Sequence, residues 1–125
     1  MATIRKATVE DAGGILRLTK CLFSELGHQR PMNDQQSVLF CRDILTSGEY
    51  RVFLSNGAQG HANGVITLSE GLSIYAAGRF GVIREFYVVP DMRSRGIGKA
   101  FYAFYLREGF GEIGPRLKLE NLNEL

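Results

Sequence analysis

The stretch Gly81 to Ala100, GVIREFYVVPDMRSRGIGKA, constrains the fold more than any other part of the chain. Its first half alternates along an extended segment, with Ile83, Glu85, Tyr87 and Val89 on one face and Val82, Arg84, Phe86 and Val88 on the other. A strand is predicted there. Pro90 has no N–H for a ladder hydrogen bond and Asp91 favours a turn, so the strand should stop and release the chain into Arg93-Ser94-Arg95-Gly96-Ile97-Gly98. Lys99 to Leu106 is compatible with a helix and holds no proline. A strand, a glycine-bearing tight turn and a helix start together aim successive backbone N–H groups at an anion. The pattern reads as a phosphate cradle. Side chains at positions 96 and 98 would hold a polyphosphate away from the amides, and Arg93, Arg95 and Lys99 add positive charge. The spacing lacks the third glycine of G-x-G-x-x-G, and Ala100 after Lys99 departs from the Walker pattern, so an ordinary turn with a basic solvated face competes.

With 125 residues the chain is expected to form one domain around a single core. A net charge of +2 is a poor electrostatic footprint for nucleic acid or a membrane surface. No apolar run approaches the length of a membrane span and the N-terminus has no signal-peptide form, so a cytoplasmic protein is expected. Cys21 and Cys41 stand singly, without a Cys-x-x-Cys pair, and read as thiols rather than as a disulfide or a metal site.

Taken in order, Thr3 to Ala7 reads as a strand, after which Thr8 and Asp11 have the spacing of a capping box. Ile15, Leu18, Leu22 and Leu26 recur at helical spacing up to Gly27. Asn33 or Asp34 can cap a second helix, to about Ser47, with Val38, Cys41, Ile44 and Leu45 inward. Tyr50–Leu54 and Val65–Leu68 form the arms of a hairpin across Asn56-Gly57. His61 lies in the polar connection and is expected to be exposed. Phe110 to Leu119 suggests two short strands broken at Gly114-Pro115.

The run Ile83 to Pro90 followed by Arg93-x-x-Gly96-x-Gly98-x-Ala100 resembles the acetyl-coenzyme A (acetyl-CoA) motif of the GCN5-related N-acetyltransferases, Arg/Gln-x-x-Gly-x-Gly/Ala. Phe104 to Gly114 is similar to that family's later helix ending in Gly-Phe, and Ile4 to Ala12 to its usual beginning. The resemblance implies a mixed, mostly antiparallel sheet flanked by helices, an α/β (α+β) fold. It also implies acetyl-CoA as cosubstrate and an amine acceptor. Glu85 would be the general base and Tyr105 the acid for the leaving thiolate, with Tyr102 an equal candidate for that place. The backbones of Val88 and Val89 would bond the pantetheine arm, and Arg93, Ser94, Arg95, Gly96, Ile97, Gly98 and Lys99 would hold the phosphates. The loop with His28, Gln29, Arg30 and Met32 corresponds to part of the acceptor wall.

Members of that family place a long helix and then a strand that splays from the central one between the turn and the Phe-Tyr helix. Here five residues, Lys99 to Ala103, separate Gly98 from Phe104, room for about one and a half helical turns. The splayed strand is therefore expected to be lost and the two helices fused over Ile97 to Glu108. The edge of the central strand would then be covered by the C-terminal strands, folded back or exchanged in a homodimer. The alternatives to an active N-acetyltransferase are a catalytically impaired CoA binder and a dimerising remnant. Glu85 reads equally as a surface ion-pair partner of Arg84 or Arg79, and the aromatic residues of the helix as core and rim.

Overall fold

A computed structural model describes residues 3–27, 34–57, 60–74, 78–107 and 118–119. Five strands form one sheet in the order β1 (Thr3–Lys6), β2 (Tyr50–Asn56), β3 (Ala62–Ser73), β4 (Gly78–Val88) and β5 (Lys118–Leu119). The first four are antiparallel neighbours, and β5 runs parallel to β4. Among the described residues three helices, α1 (Ala12–Glu25), α2 (Asp34–Ser47) and α3 (Ile97–Arg107), cover the sheet. No helix among the described residues is long and apolar enough to cross a membrane.

Both sheet faces are covered, which is why β2 reads as a nearly unbroken apolar run. Val52 and Leu54 pack with Val65 and Tyr87 under Ile15, Leu18 and Leu22 of α1 and Cys41 of α2. On the opposite face, Phe53, Ile66, Leu68, Phe86 and Val88 receive Ile97 and Phe101 of α3. The rings of Phe86 and Phe101 meet edge-on at 5.7 Å, and those of Phe53 and Phe104 at 4.9 Å. Phe101 and Phe104 are thus packing residues, whereas Tyr102 is 40% exposed.

The strand that opens the chain and its cap match the sequence. The Thr8 N–H donates to Asp11 Oδ2 at 2.7 Å, and the Arg5 guanidinium donates to both Asp11 oxygens at 2.7 and 2.8 Å. Those bonds, Arg5 first, hold the Asp11 carboxyl down at about 2.

On β3, Gly64 sits opposite Val88 of β4, with no room for a side chain. A Cβ there would lie 2.6 Å from Ser55 Oγ, 3.3 Å from Phe101 Cε2 and 3.4 Å from the Tyr87 carbonyl oxygen. Ser55 cannot simply swing aside, because its hydroxyl is fully buried and donates to Asn63 Oδ1 at 2.5 Å. Gly64→Ala is expected to cost about 1–3 kcal/mol, the range for overpacking a tight site. Chemical denaturation should show that loss, and adding Ser55→Ala should recover part of it. Equal stability of Gly64→Ala and the parent chain would overturn the contact.

In the central strand the alternation breaks once. Thr67 pairs with Glu85 and the next residue, Leu68, with Ile83, so Arg84 is an extra residue on β4. This bulge corrects the expected faces: Glu85 and Tyr87 remain under α1 and α2, but Ile83 joins the cluster beneath α3.

Beyond the turn, α3 is a single helix, as expected, and a C-terminal strand pairs beside β4, in parallel, at Val82 and Ile83. The residue count assigned Phe104 to a second helix, whereas it lies on the first. Within this chain the C-terminal strand takes the folded-back arrangement, at Val82 and Ile83.

Candidate active site

The turn that ends β4 is built as anticipated in outline. Pro90–Met92 makes one 3-10 turn, and Ser94 and Gly96 adopt left-handed backbone with φ of 63° and 87°. At Gly96 only glycine takes that conformation without strain, and a Cβ would project into open space. Gly98 has a different task, because its Cβ direction points at Phe86, 3.5 Å away, where the helix sits close on the strand. The first intrahelical bond runs from the Ala100 N–H to the Gly96 carbonyl at 3.0 Å. The amides of Ile97, Gly98 and Lys99 therefore precede the helical ladder and point out of the helix start. Arg95 and Lys99 are exposed beside them. This geometry fits a polyphosphate.

Arg93 departs from its expected role beside the phosphates. Its Nε donates to the Val88 carbonyl at 2.8 Å, its Nη2 donates to both Glu25 carboxylate oxygens at 2.8 and 2.9 Å, and its guanidinium lies 5.3 Å from the Tyr87 ring centroid. It ties the turn to β4 and to the last turn of α1. Burial, then Glu25, pushes the Tyr87 phenol well above its usual range, so it stays neutral.

Val88 and Val89 are separated by the strand's alternation. The Val89 N–H donates to the Asn63 carbonyl at 2.9 Å and its carbonyl accepts from Met92 at 2.9 Å, so both groups serve the fold. The expected role of the Val89 N–H toward a pantetheine arm does not fit this arrangement. The Val88 backbone faces the other way, along the side of β4 where β5 reaches only Val82 and Ile83 among the described residues.

Glu85 stands on the opposite side of the turn's strand from α3, half-buried. The bulge at Arg84 interrupts the ladder, and the Thr67 hydroxyl substitutes for a backbone acceptor, taking the Glu85 N–H at 2.9 Å. The same hydroxyl donates to Glu85 Oε1, which also accepts from the Tyr50 hydroxyl at 3.2 Å. Burial, then the Glu85 charge, pushes the Tyr50 phenol up to about 12, which keeps it a donor. Arg84 sends its Nε to Ser69 Oγ at 2.9 Å. Glu85 is thus held by hydroxyls. Its carboxyl opens on a cavity of about 170 Å³ between α1, α2 and the sheet.

Tyr50 and Thr67 were not among the residues singled out from the sequence. Thr67 did leave a trace: it is the one hydroxyl in the apolar run Val65–Leu68 and is 2% exposed. Tyr105 lies on the backbone of α3, the helix that begins at the turn, and not on one that follows β5. Its side chain lies outside the described residues. His28, Gln29, Arg30 and Met32 lie outside them as well. His61 is exposed.

The sheet order, the bulged fourth strand, the turn and the parallel fifth strand define the fold of the GCN5-related N-acetyltransferases. A predicted acetyltransferase with acetyl-CoA from Clostridium acetobutylicum is similar over 99% of this chain and 82% of its own, with a TM-score of 0.77 at 16% identity. The ribosomal-protein-alanine N-acetyltransferase of Brucella melitensis biovar Abortus 2308 matches 96% of this chain and 79% of its own, with a TM-score of 0.70 at 20% identity. An aminoglycoside 6'-N-acetyltransferase from Acinetobacter baumannii covers the same shares with a TM-score of 0.76 at 12% identity. No family model matches the sequence, and no curated protein does.

Proposed function

We propose that the chain is an N-acetyltransferase that uses acetyl-CoA. The observation that carries this reading is that one strand, β4, presents a carboxylate to a half-open pocket at Glu85 and leads into a turn whose helix-start amides lie ahead of the helical ladder. The amides of Ile97, Gly98 and Lys99, with Arg95 and Lys99, hold the pyrophosphate. The Val88 backbone faces the side of β4 along which the pantetheine arm would lie. Arg93 and Glu25 position the turn without touching the phosphates.

An ammonium acceptor first gives up a proton, for which Glu85 Oε2 is the available acceptor, since Oε1 is engaged by Tyr50 and Thr67. The amine nitrogen then attacks the thioester carbonyl carbon. As the tetrahedral adduct collapses, the new C–N bond remains and the C–S bond breaks. The nitrogen loses its second proton, and the departing thiolate takes one up, so one proton is released overall.

Thermal unfolding with and without acetyl-CoA tests the cofactor half of this reading. At a hundred times its dissociation constant the ligand should add about 2.7 kcal/mol to the native state. Gly96→Glu should abolish the gain, because it places an acid where the pyrophosphate lies and strains a left-handed position. No shift at millimolar acetyl-CoA would overturn the assignment.

A further inference from the structure

The pocket above Glu85 has a composition that selects among acceptors. Among the described residues Glu85 is the one acid lining it, and no basic side chain does so. Most of its wall is apolar, with Ile15, Phe23, Phe40, Ile44 and Val52 around the carboxylate. Its few hydroxyls are largely committed: Thr19 donates to the Leu16 carbonyl at 3.1 Å, and Thr67 and Tyr50 donate to Glu85. The Cys41 thiol is pushed up by burial and is neutral. A cavity of about 170 Å³ accommodates roughly six groups of water size.

We infer that the acceptor is a primary amine carried on a compact apolar body, such as an alkylamine or arylalkylamine, with a single positive charge. Its nitrogen pairs with Glu85 and its hydrocarbon fills the space between α1 and α2. Polyhydroxylated and polycationic amines are disfavoured, because their hydroxyls and further charges would enter a wall with few free acceptors. The inference rests on Glu85 receiving the acceptor amine in the reading above. The transfer is the one already balanced: the nitrogen loses two protons, the C–N bond forms, the C–S bond breaks and the thiol leaves with one proton.

Binding is measured by calorimetry on the full chain without acetyl-CoA, using n-propylamine, n-butylamine, n-hexylamine, hexanol and glucosamine. Turnover is measured separately with acetyl-CoA. Affinity should rise about fourfold per added methylene up to hexylamine. Hexanol and glucosamine should each bind at least about tenfold more weakly than hexylamine, because one lacks the charge and the other the apolar body. Phe40 is 67% exposed, so Phe40→Ser leaves the fold intact while removing part of the wall, and it should weaken hexylamine more than propylamine. Chain-length-dependent binding with acetylation supports both the pocket and the transfer reading. The same binding without acetylation, in a chain that takes up acetyl-CoA, supports the pocket assignment and sinks the transfer reading. Affinity independent of chain length, or glucosamine binding as tightly as hexylamine, overturns the inference whatever the turnover.

Discussion

Replacing Phe101 with alanine is expected to destabilise the chain by about 3–5 kcal/mol, the range for removing a buried aromatic side chain. Phe101 is 1% exposed, meets Phe86 edge-on and packs close to Gly64, where no neighbouring Cβ fills the space. A loss of that size is a large share of the roughly 5–15 kcal/mol that holds a domain together. The effect reaches the site, because α3 carries the amides of the phosphate turn at its first residues and is seated on the sheet by Ile97, Phe101 and Phe104. Denaturant titration should therefore show the midpoint falling sharply for Phe101→Ala. Phe101→Leu, which keeps much of the buried area, should lose less. At temperatures where Phe101→Ala is still folded, acetyl-CoA should stabilise it less than it stabilises the parent. A loss under about 1 kcal/mol would mean that the site collapses to fill the gap, and that α3 is not seated by this ring.

Glu85→Gln should lower the rate of acetyl transfer to an alkylamine by about 10²–10⁴-fold, the usual contribution of a positioned proton acceptor. The substitution keeps the shape of the side chain. An amide oxygen can still accept from Tyr50 and Thr67, so the native hydrogen bonds at Oε1 persist. Melting should consequently move by less than about 1 kcal/mol, within the range of substitutions that break no buried network. Stabilisation by acetyl-CoA should be unchanged, since Glu85 lies on the other side of the strand from the turn's helix. A fall in rate with stability and cofactor uptake preserved assigns the proton transfer to this carboxylate. An unchanged rate would assign it to solvent and leave Glu85 a binding group for the acceptor's charge.

The sequence makes the backbone plan of this protein legible, because the signals are local. The 3.6-residue recurrence of Ile15, Leu18 and Leu22 identifies α1 and its buried face. The Thr8–Asp11 spacing places the capped 3-10 turn that leads into it, and Pro90 with the two glycines places the end of β4, the turn and the start of α3. Glu85 could be singled out because it follows the same strand. Each of these needs only residues within a turn or two of one another.

What lay beyond the sequence involves partners far apart in the chain. Arg93 reads as a phosphate ligand until Glu25, 68 positions away, is brought to its guanidinium. Ile83 reads as sharing a face with Glu85 until the pairing with β3 inserts Arg84 as a bulge. The C-terminal strand declares neither its neighbour nor its direction until β5 is set parallel to β4 at Val82 and Ile83. Gly64 carries no local sign that Phe101 and Ser55 converge on it. Composition and periodicity describe what one element prefers, so the sequence by itself determined the elements, the buried face of α1 and the glycine-bearing turn after β4. Register, close approach and the committed hydrogen bonds of Tyr50, Thr67 and Glu85 depend on several elements meeting, and only the tertiary structure decided them. From that meeting come the pocket and the carboxylate that opens on it.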